Sequence, residues 1–196
     1  ANDRLHSALR TLCEKESILM GARSALEKLR HTTSLHAATL ATAAWIEQQL
    51  AQDNRSIGLL DSAIALDPDY LYARVERSRI ASKNADFVRA ESELREALRI
   101  APNQPRLLVA LGEALLKQTH TASADSAFAK ALLHDDSVNV AAHVAHIYSE
   151  QKRAERAIEY YEHAIEHAPE DAQLLNNLAW SYAETGICLL YTSDAA

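Results

Sequence analysis

The chain has 196 residues, enough for one domain or a short array of repeats, and 48% of them are hydrophobic, so a sizeable core is within reach. Only 4 Gly and 4 Pro occur while Ala, Leu, Glu and Arg dominate, which excludes a turn-rich β protein and points to an all-α chain. The formal charge of -7 with no run of Lys or Arg argues against a nucleic-acid partner or docking on an anionic membrane, and no apolar stretch of about 18 residues exists to span a bilayer. Two distant cysteines, Cys13 and Cys188, form neither a disulfide framework nor a metal motif, and leave the compartment open between cytoplasm and periplasm.

Residues 1–36 fit the pattern of the rest only weakly, through Ala22, Leu26 and Leu29, with Arg10 and Ser34 where a small residue and a proline belong. They read as a degenerate repeat or a capping hairpin, with one long helix as the alternative. Cys13 falls in the helical pattern at a position that is usually core.

From residue 37 onward the chain repeats itself. Pro68 and Pro102 are 34 residues apart, Asp136 lies 34 further on, and Pro169 follows after 33. Ahead of these marks come Ala63, Ala97, Ala131 and Ala164, and seven residues before those Ser56, Ala90, Ala124 and Ala157. Leu60, Leu94, Phe128 and Tyr161 recur between them, and a small residue recurs earlier as Ala44, Ser78, Gly112, Ala145 and Ala179. The units are 37–70, 71–104, 105–138 and 139–171, followed by a lone first helix at 172–187. Small residues suit places where two helices cross closely; the larger apolar residue fills the space between successive hairpins; proline ends the second helix. One hairpin cannot bury its apolar face alone, so stacking is required.

This pattern of small residue, Ala, large apolar residue, Ala and Pro resembles the tetratricopeptide repeat of bacterial proteins. The resemblance implies a right-handed superhelical solenoid of antiparallel helix hairpins whose first helices line a concave groove. It also implies a scaffold function, the binding of a protein or peptide partner, without catalysis or cofactor. Carried over position by position, the groove takes Ala41, Trp45 and Gln48 from the first unit and Tyr72, Glu76, Arg79 and Lys83 from the second. It takes Arg106, Val109, Glu113, Leu116 and Lys117 from the third, His143 and His146 from the fourth, and Asn176, Asn177 and Trp180 from the last helix. Trp45 and Trp180 are either binding anchors or packing residues. Arg79, Lys83, Arg106 and Lys117 make a modest basic cluster interrupted by Glu76 and Glu113, and the last helices lack the basic partners of a carboxylate clamp.

Chemistry is otherwise sparse. His143 and His146 are three apart, and His163 and His167 four apart, spacings that share a helix face as paired metal ligands do. No HExxH accompanies them, and both pairs read as solvated helix faces. Asp135-Asp136 and Glu170-Asp171 fall at helix junctions, where carboxylates favour the next N-terminus. No nucleophile elbow, phosphate loop or dinucleotide fingerprint occurs.

Two further functions remain open: the recruiting region of a larger enzyme such as a transferase, and an assembly protein of bacterial envelope secretion or polysaccharide export. The last nine residues, 188–196, resemble a translated sequencing adapter, so the natural sequence is expected to stop near Ile187. The helix at 172–187 then leaves Leu175, Leu178 and Tyr182 uncovered, which is expected to promote self-association. The register makes one prediction about stability: Ala131→Trp overpacks a helix crossing and costs about 1–3 kcal/mol, read as a lower melting temperature. An unchanged melting temperature refutes the register.

Overall fold

The computed structural model describes residues 15–25, 27 and 36–185. Cys13, most of the 1–36 segment and the tail from residue 186 lie outside the described residues. Residues 15–25 are helical (α1). The chain continues through α2 (Ala37–Gln49), α3 (Asp53–Leu66), α4 (Leu71–Lys83) and α5 (Phe87–Ile100). It then forms α6 (Pro105–Lys117), α7 (Thr121–His134), α8 (Val138–Glu150), α9 (Ala154–His167) and α10 (Ala172–Glu184). The fold is all-α, a helical repeat in which first helices of 13 residues alternate with second helices of 14. Two compact units divide the chain, Ala1–Ile100 and Ala101–Ala196.

The same turn closes every complete hairpin. Ala51, Ala85, Thr119 and Lys152 adopt φ of 57°, 58°, 65° and 56°. The residue after each donates its N–H back to a carbonyl five positions earlier: Gln52 to Glu47, Asp86 to Ala81, His120 to Leu115 and Arg153 to Tyr148, at 2.8–3.0 Å. This is the Schellman motif, which satisfies carbonyls left open at the end of the first helix. A left-handed residue with a Cβ costs about 1 kcal/mol, and the turn accepts that cost four times. Backbone hydrogen bonding therefore sets the hairpin angle, without glycine.

Three of the four second helices end where proline forbids continuation, and α7 ends at His134 without one. Pro68 and Pro169 each lie just beyond the capping residues Asp67 and Ala168, and Pro102 stands two residues past Ile100. Pro105 occupies the first turn of α6, where its missing N–H is not needed. Ser137 caps α8 by accepting from the Val140 N–H, and Asp171 caps α10 by accepting from Gln173 and Leu174.

The core follows the repeat. Ser56, Ala90, Ala124 and Ala157 are fully buried, as are Ala63, Ala97, Ala131 and Ala164. Between them Leu60, Leu94, Phe128 and Tyr161 are buried in turn. Of the small residues on the first helices, Ala44, Ser78, Gly112 and Ala145 are buried, while Ala179 on α10 is exposed. In the first unit Leu40, Ala41, Ala44, Leu60, Ala63, Ala73 and Ile80 form one cluster spanning α2, α3 and α4.

Gly112 shows how tight the crossing is. A Cβ there would overlap the Phe128 ring, standing 2.6 Å from Cδ1 and 2.8 Å from Cζ. Where the second-helix residue is leucine, the first helix carries Ala44 or Ser78 instead. Gly112→Ala is expected to destabilise the protein by about 1–3 kcal/mol in urea unfolding. Adding Phe128→Leu should recover much of the loss, and a double variant no more stable than Gly112→Ala would show that the two residues do not share this space.

Candidate functional site

In the first unit the exposed faces of α2 and α4 carry the sequence-derived groove residues. On α4, Tyr72, Glu76, Arg79 and Lys83 recur at spacings of three and four and so form one stripe. Trp45 and Tyr72 are 45% and 40% exposed, far more than a packing role requires. Together with Thr42 and Tyr70 they line an open depression of about 390 Å³. The Tyr70 and Tyr72 rings stand 6.3 Å apart, tilted by 54°. Partial burial pushes the Tyr72 phenol up, and the nearby Glu76 carboxylate adds to it.

Beside these aromatics lies a polar network. Arg79 donates to Glu76 Oε2 at 2.9 and 3.1 Å and to Gln48 Oε1, while Gln48 Nε2 donates to Ser56 Oγ at 3.1 Å. Lys83 Nζ pairs with Asp53 Oδ2 of α3 at 2.8 Å. Arg79 and Lys83 are thus both compensated, and the first unit presents no net basic surface here.

In the second unit Arg106 and Lys117 are exposed and make no ion pair among the described residues, with Glu113 half-buried between them in sequence. His143 and His146 are exposed, and His146 Nε2 lies 3.4 Å from Glu150 Oε1 on the same helix. Asn176 is exposed, whereas half-buried Asn177 hydrogen-bonds the Tyr161 phenol. Trp180 is exposed, its indole N–H donating to Glu184 Oε1 at 3.1 Å. Leu175 is exposed on the same helix, Leu178 and Tyr182 are half-buried, and the Tyr182 phenol donates to Glu162.

Three groove positions drawn from the sequence require correction. Ala41, Val109 and Leu116 are buried and present almost no surface to a ligand. Such small and aliphatic side chains on the flank of a first helix gain more from neighbouring apolar groups than from water, which narrows the exposed stripe.

A set of charged side chains in the interior escapes sequence reading, because arginine and glutamate are expected at the surface. Glu93 of α5 receives Arg74 at 3.1 Å and Arg77 at 3.5 Å, both from α4, and Arg77 also reaches Asp61 of α3 at 2.5 Å. Glu47 of α2 is buried and pairs with Arg23 of α1 at 2.9 Å, with Arg55 at 3.8 Å. The signal was available in the repeat alignment. At the fourth and seventh residues of the first helices, Arg74 and Arg77 stand where the third repeat has Leu108 and Leu111. Glu47 stands where other repeats have Ala81, Leu115 and Tyr148. The second unit fills the corresponding space with aromatics: Tyr148 meets Phe128 edge to face at 5.3 Å and stacks on Tyr160 at 5.5 Å. Arg156 covers both tyrosines, 5.7 and 5.9 Å from their centroids, and pairs with Asp125 at 3.0 Å. Burial and a hydrogen bond to Asp125 push the Tyr148 phenol well above the ordinary tyrosine range.

Comparison with known proteins agrees with this architecture. Residues 139–171 match the family model described as tetratricopeptide repeat. A tetratricopeptide-repeat protein from Parabacteroides merdae superimposes with a TM-score of 0.73 at 17% identity, covering 91% of this chain and 73% of that one. YrrB, described as having an unusual peptide-binding site, gives a TM-score of 0.63 at 17% identity over 84% of this chain and 86% of its own. A thermophilic tetratricopeptide-repeat protein of Thermus thermophilus gives 0.57 at 22% identity, covering 92% and 96%. No curated protein matches. At these identities the structural likenesses establish the fold. The chain is an all-α helical-repeat protein with the fold of tetratricopeptide-repeat proteins, and its residues 139–171 match the tetratricopeptide repeat model. Among the described residues no helix is long and apolar enough to cross a membrane.

The buried ion cluster generates a stability prediction. Glu93→Ala leaves Arg74 and Arg77 without their shared carboxylate and should cost about 3–5 kcal/mol in chemical unfolding. Replacing Arg74, Arg77 and Glu93 together by leucine should recover most of that loss. A single variant as stable as the parent would show that the cluster contributes nothing.

Proposed function

We propose that the chain is an interaction scaffold that holds a polypeptide segment against the exposed faces of its first helices, with Trp45 and Tyr72 as the main anchors. The observation that carries this reading is the pair of half-exposed aromatics on neighbouring first helices, set beside amide and guanidinium groups. Trp and Tyr supply large contact area at low entropic cost and are enriched among residues that dominate binding energy. Gln48 and Arg79, bonded to each other and to Ser56 and Glu76, would exchange those bonds for ones to an extended or helical backbone with mixed side chains. YrrB, of the same fold, is described as having a peptide-binding site, which supports the class of ligand without specifying its sequence. The exposed Asn176, without a basic neighbour engaged on α10, disfavours a clamp for a terminal carboxylate.

The test is selection of random peptides displayed on phage against the immobilised chain, followed by titration of enriched peptides. Trp45→Ala and Tyr72→Ala should each weaken binding by about 2 kcal/mol, some thirtyfold, while circular dichroism stays unchanged. Failure to enrich any peptide, or enriched peptides indifferent to both substitutions, would overturn the proposal.

A further inference from the structure

On α7 the outward positions depart from the rest of the array. In the repeat frame Ala129 stands where the other units have Asp61, Arg95 and Glu162, and Leu133 where they have Ala65, Arg99 and Glu166. The two are four residues apart and so share one face of the helix. Leu133 is 81% exposed, a large apolar side chain held in water where two of the other three units place a charge. The departure continues past the helix, where Asp136 takes the place of Pro68, Pro102 and Pro169. Ala129, Leu133 and Asp136 line an open depression of about 470 Å³ together with Glu159, Tyr160 and His163 of α9.

The floor of this depression is apolar and its rim acidic. Tyr160 is fixed in place, stacked on Tyr148 at 5.5 Å with Arg156 over its ring. Glu159 pairs with Arg156, whereas Asp136 meets imidazoles: His163 Nε2 at 2.6 Å and His167 Nε2 at 3.8 Å. Glu166 Oε2 adds a further carboxylate 3.8 Å from His163 Nδ1. No lysine or arginine is among the residues that line the depression. We propose that it is a second docking surface, for a polypeptide segment that sets an aliphatic or aromatic side chain against Leu133 and Tyr160 and a lysine or arginine against Asp136. Burial of Leu133 supplies affinity, and the carboxylates set the charge of the partner. A lysine or arginine suits both parts at once, because its methylene stem covers apolar surface while its head reaches the rim.

A second copy of the chain fits less well. Each copy carries a formal charge of -7, and a self-complementary contact would set Asp136 and Glu159 against their own counterparts. The surface is also independent of the aromatic pair proposed above. Trp45 and Tyr72 belong to first helices of the first unit, whereas Leu133 and Tyr160 belong to second helices of the second.

Selection of random phage-displayed peptides against the full chain carrying Trp45→Ala and Tyr72→Ala tests this surface by itself. Enriched peptides should carry lysine or arginine within a few residues of an aliphatic or aromatic side chain, and should bind the parent chain equally well in fluorescence anisotropy titrations. Leu133→Glu should weaken them about tenfold or more. Asp136→Asn should weaken them about threefold at low salt, with the difference shrinking as salt rises. Leu133 is exposed and the fourth repeat already carries Glu166 at its position, so circular dichroism of Leu133→Glu should match the parent. No enriched peptide, enriched peptides without a basic residue, or affinities indifferent to Leu133→Glu overturn the proposal. So does a dimer, seen by light scattering, that Leu133→Glu abolishes, since a second copy would then be the occupant.

Discussion

Close approach of two helices at a small residue is the constraint on which the rest of the structure depends. Each hairpin brings its first helix against a second helix whose inward face is alanine, leucine or an aromatic ring. In the first three repeats volume trades across the crossing, whereas the fourth carries Ala145 with Tyr161. Gly112 stands against Phe128, while repeats with Leu60 or Leu94 carry Ala44 or Ser78. Interiors packed at crystal density transmit any excess volume to their neighbours, so this trade couples residues 16 apart in sequence. The left-handed turn after each first helix supports the same geometry from the backbone side, since its two hydrogen bonds hold the helices at one separation.

Given that crossing, the space around the eleventh residue of the first helix is filled in two ways. In the second unit Tyr148 fills it, hydrogen-bonded to Asp125, flanked by Phe128 and Tyr160 and covered by Arg156. In the first unit charged residues occupy the neighbouring positions, and Glu47 and Glu93 are neutralised by arginines from adjacent helices. Buried ion pairs add little net stability over apolar packing, but removing one partner leaves the other charge uncompensated. Glu93, held by two arginines of α4 while Arg77 also reaches Asp61, joins α3, α4 and α5 through such pairs.

Much of this was legible in the sequence because repetition multiplies a weak signal. A single Ala-Leu-Ala triplet says nothing, whereas four at intervals of 34, 34 and 33 specify which faces are buried. Trp45 and Tyr72 fall among the groove positions by their offset within the unit, although that offset left Trp45 open between an anchor and a packing residue. Ala41, Val109 and Leu116 were misplaced because a groove inferred from position alone ignores how far neighbouring helices cover each flank. The buried charges were passed over because arginine and glutamate are expected at the surface, and only comparison of equivalent positions marks Arg74, Arg77 and Glu47 as out of place. The convergence of Asp136 on the His163 and His167 pair depends on a loop carboxylate reaching the next hairpin, which helix periodicity does not encode.

The ion-lined hairpins of the first unit carry a thermodynamic consequence. Heat capacity of unfolding rises with the apolar surface exposed and falls with the polar surface exposed. Hairpins that bury guanidinium and carboxylate groups where their neighbours bury leucine and tyrosine therefore unfold with a smaller heat-capacity increment per residue. The dehydration penalty of those ions also shrinks on warming. The first unit is thus built for a flatter dependence of stability on temperature, and the aromatic second unit for a more curved one. Within a single chain of repeats on one pattern, the same helical frame carries two different responses to heat.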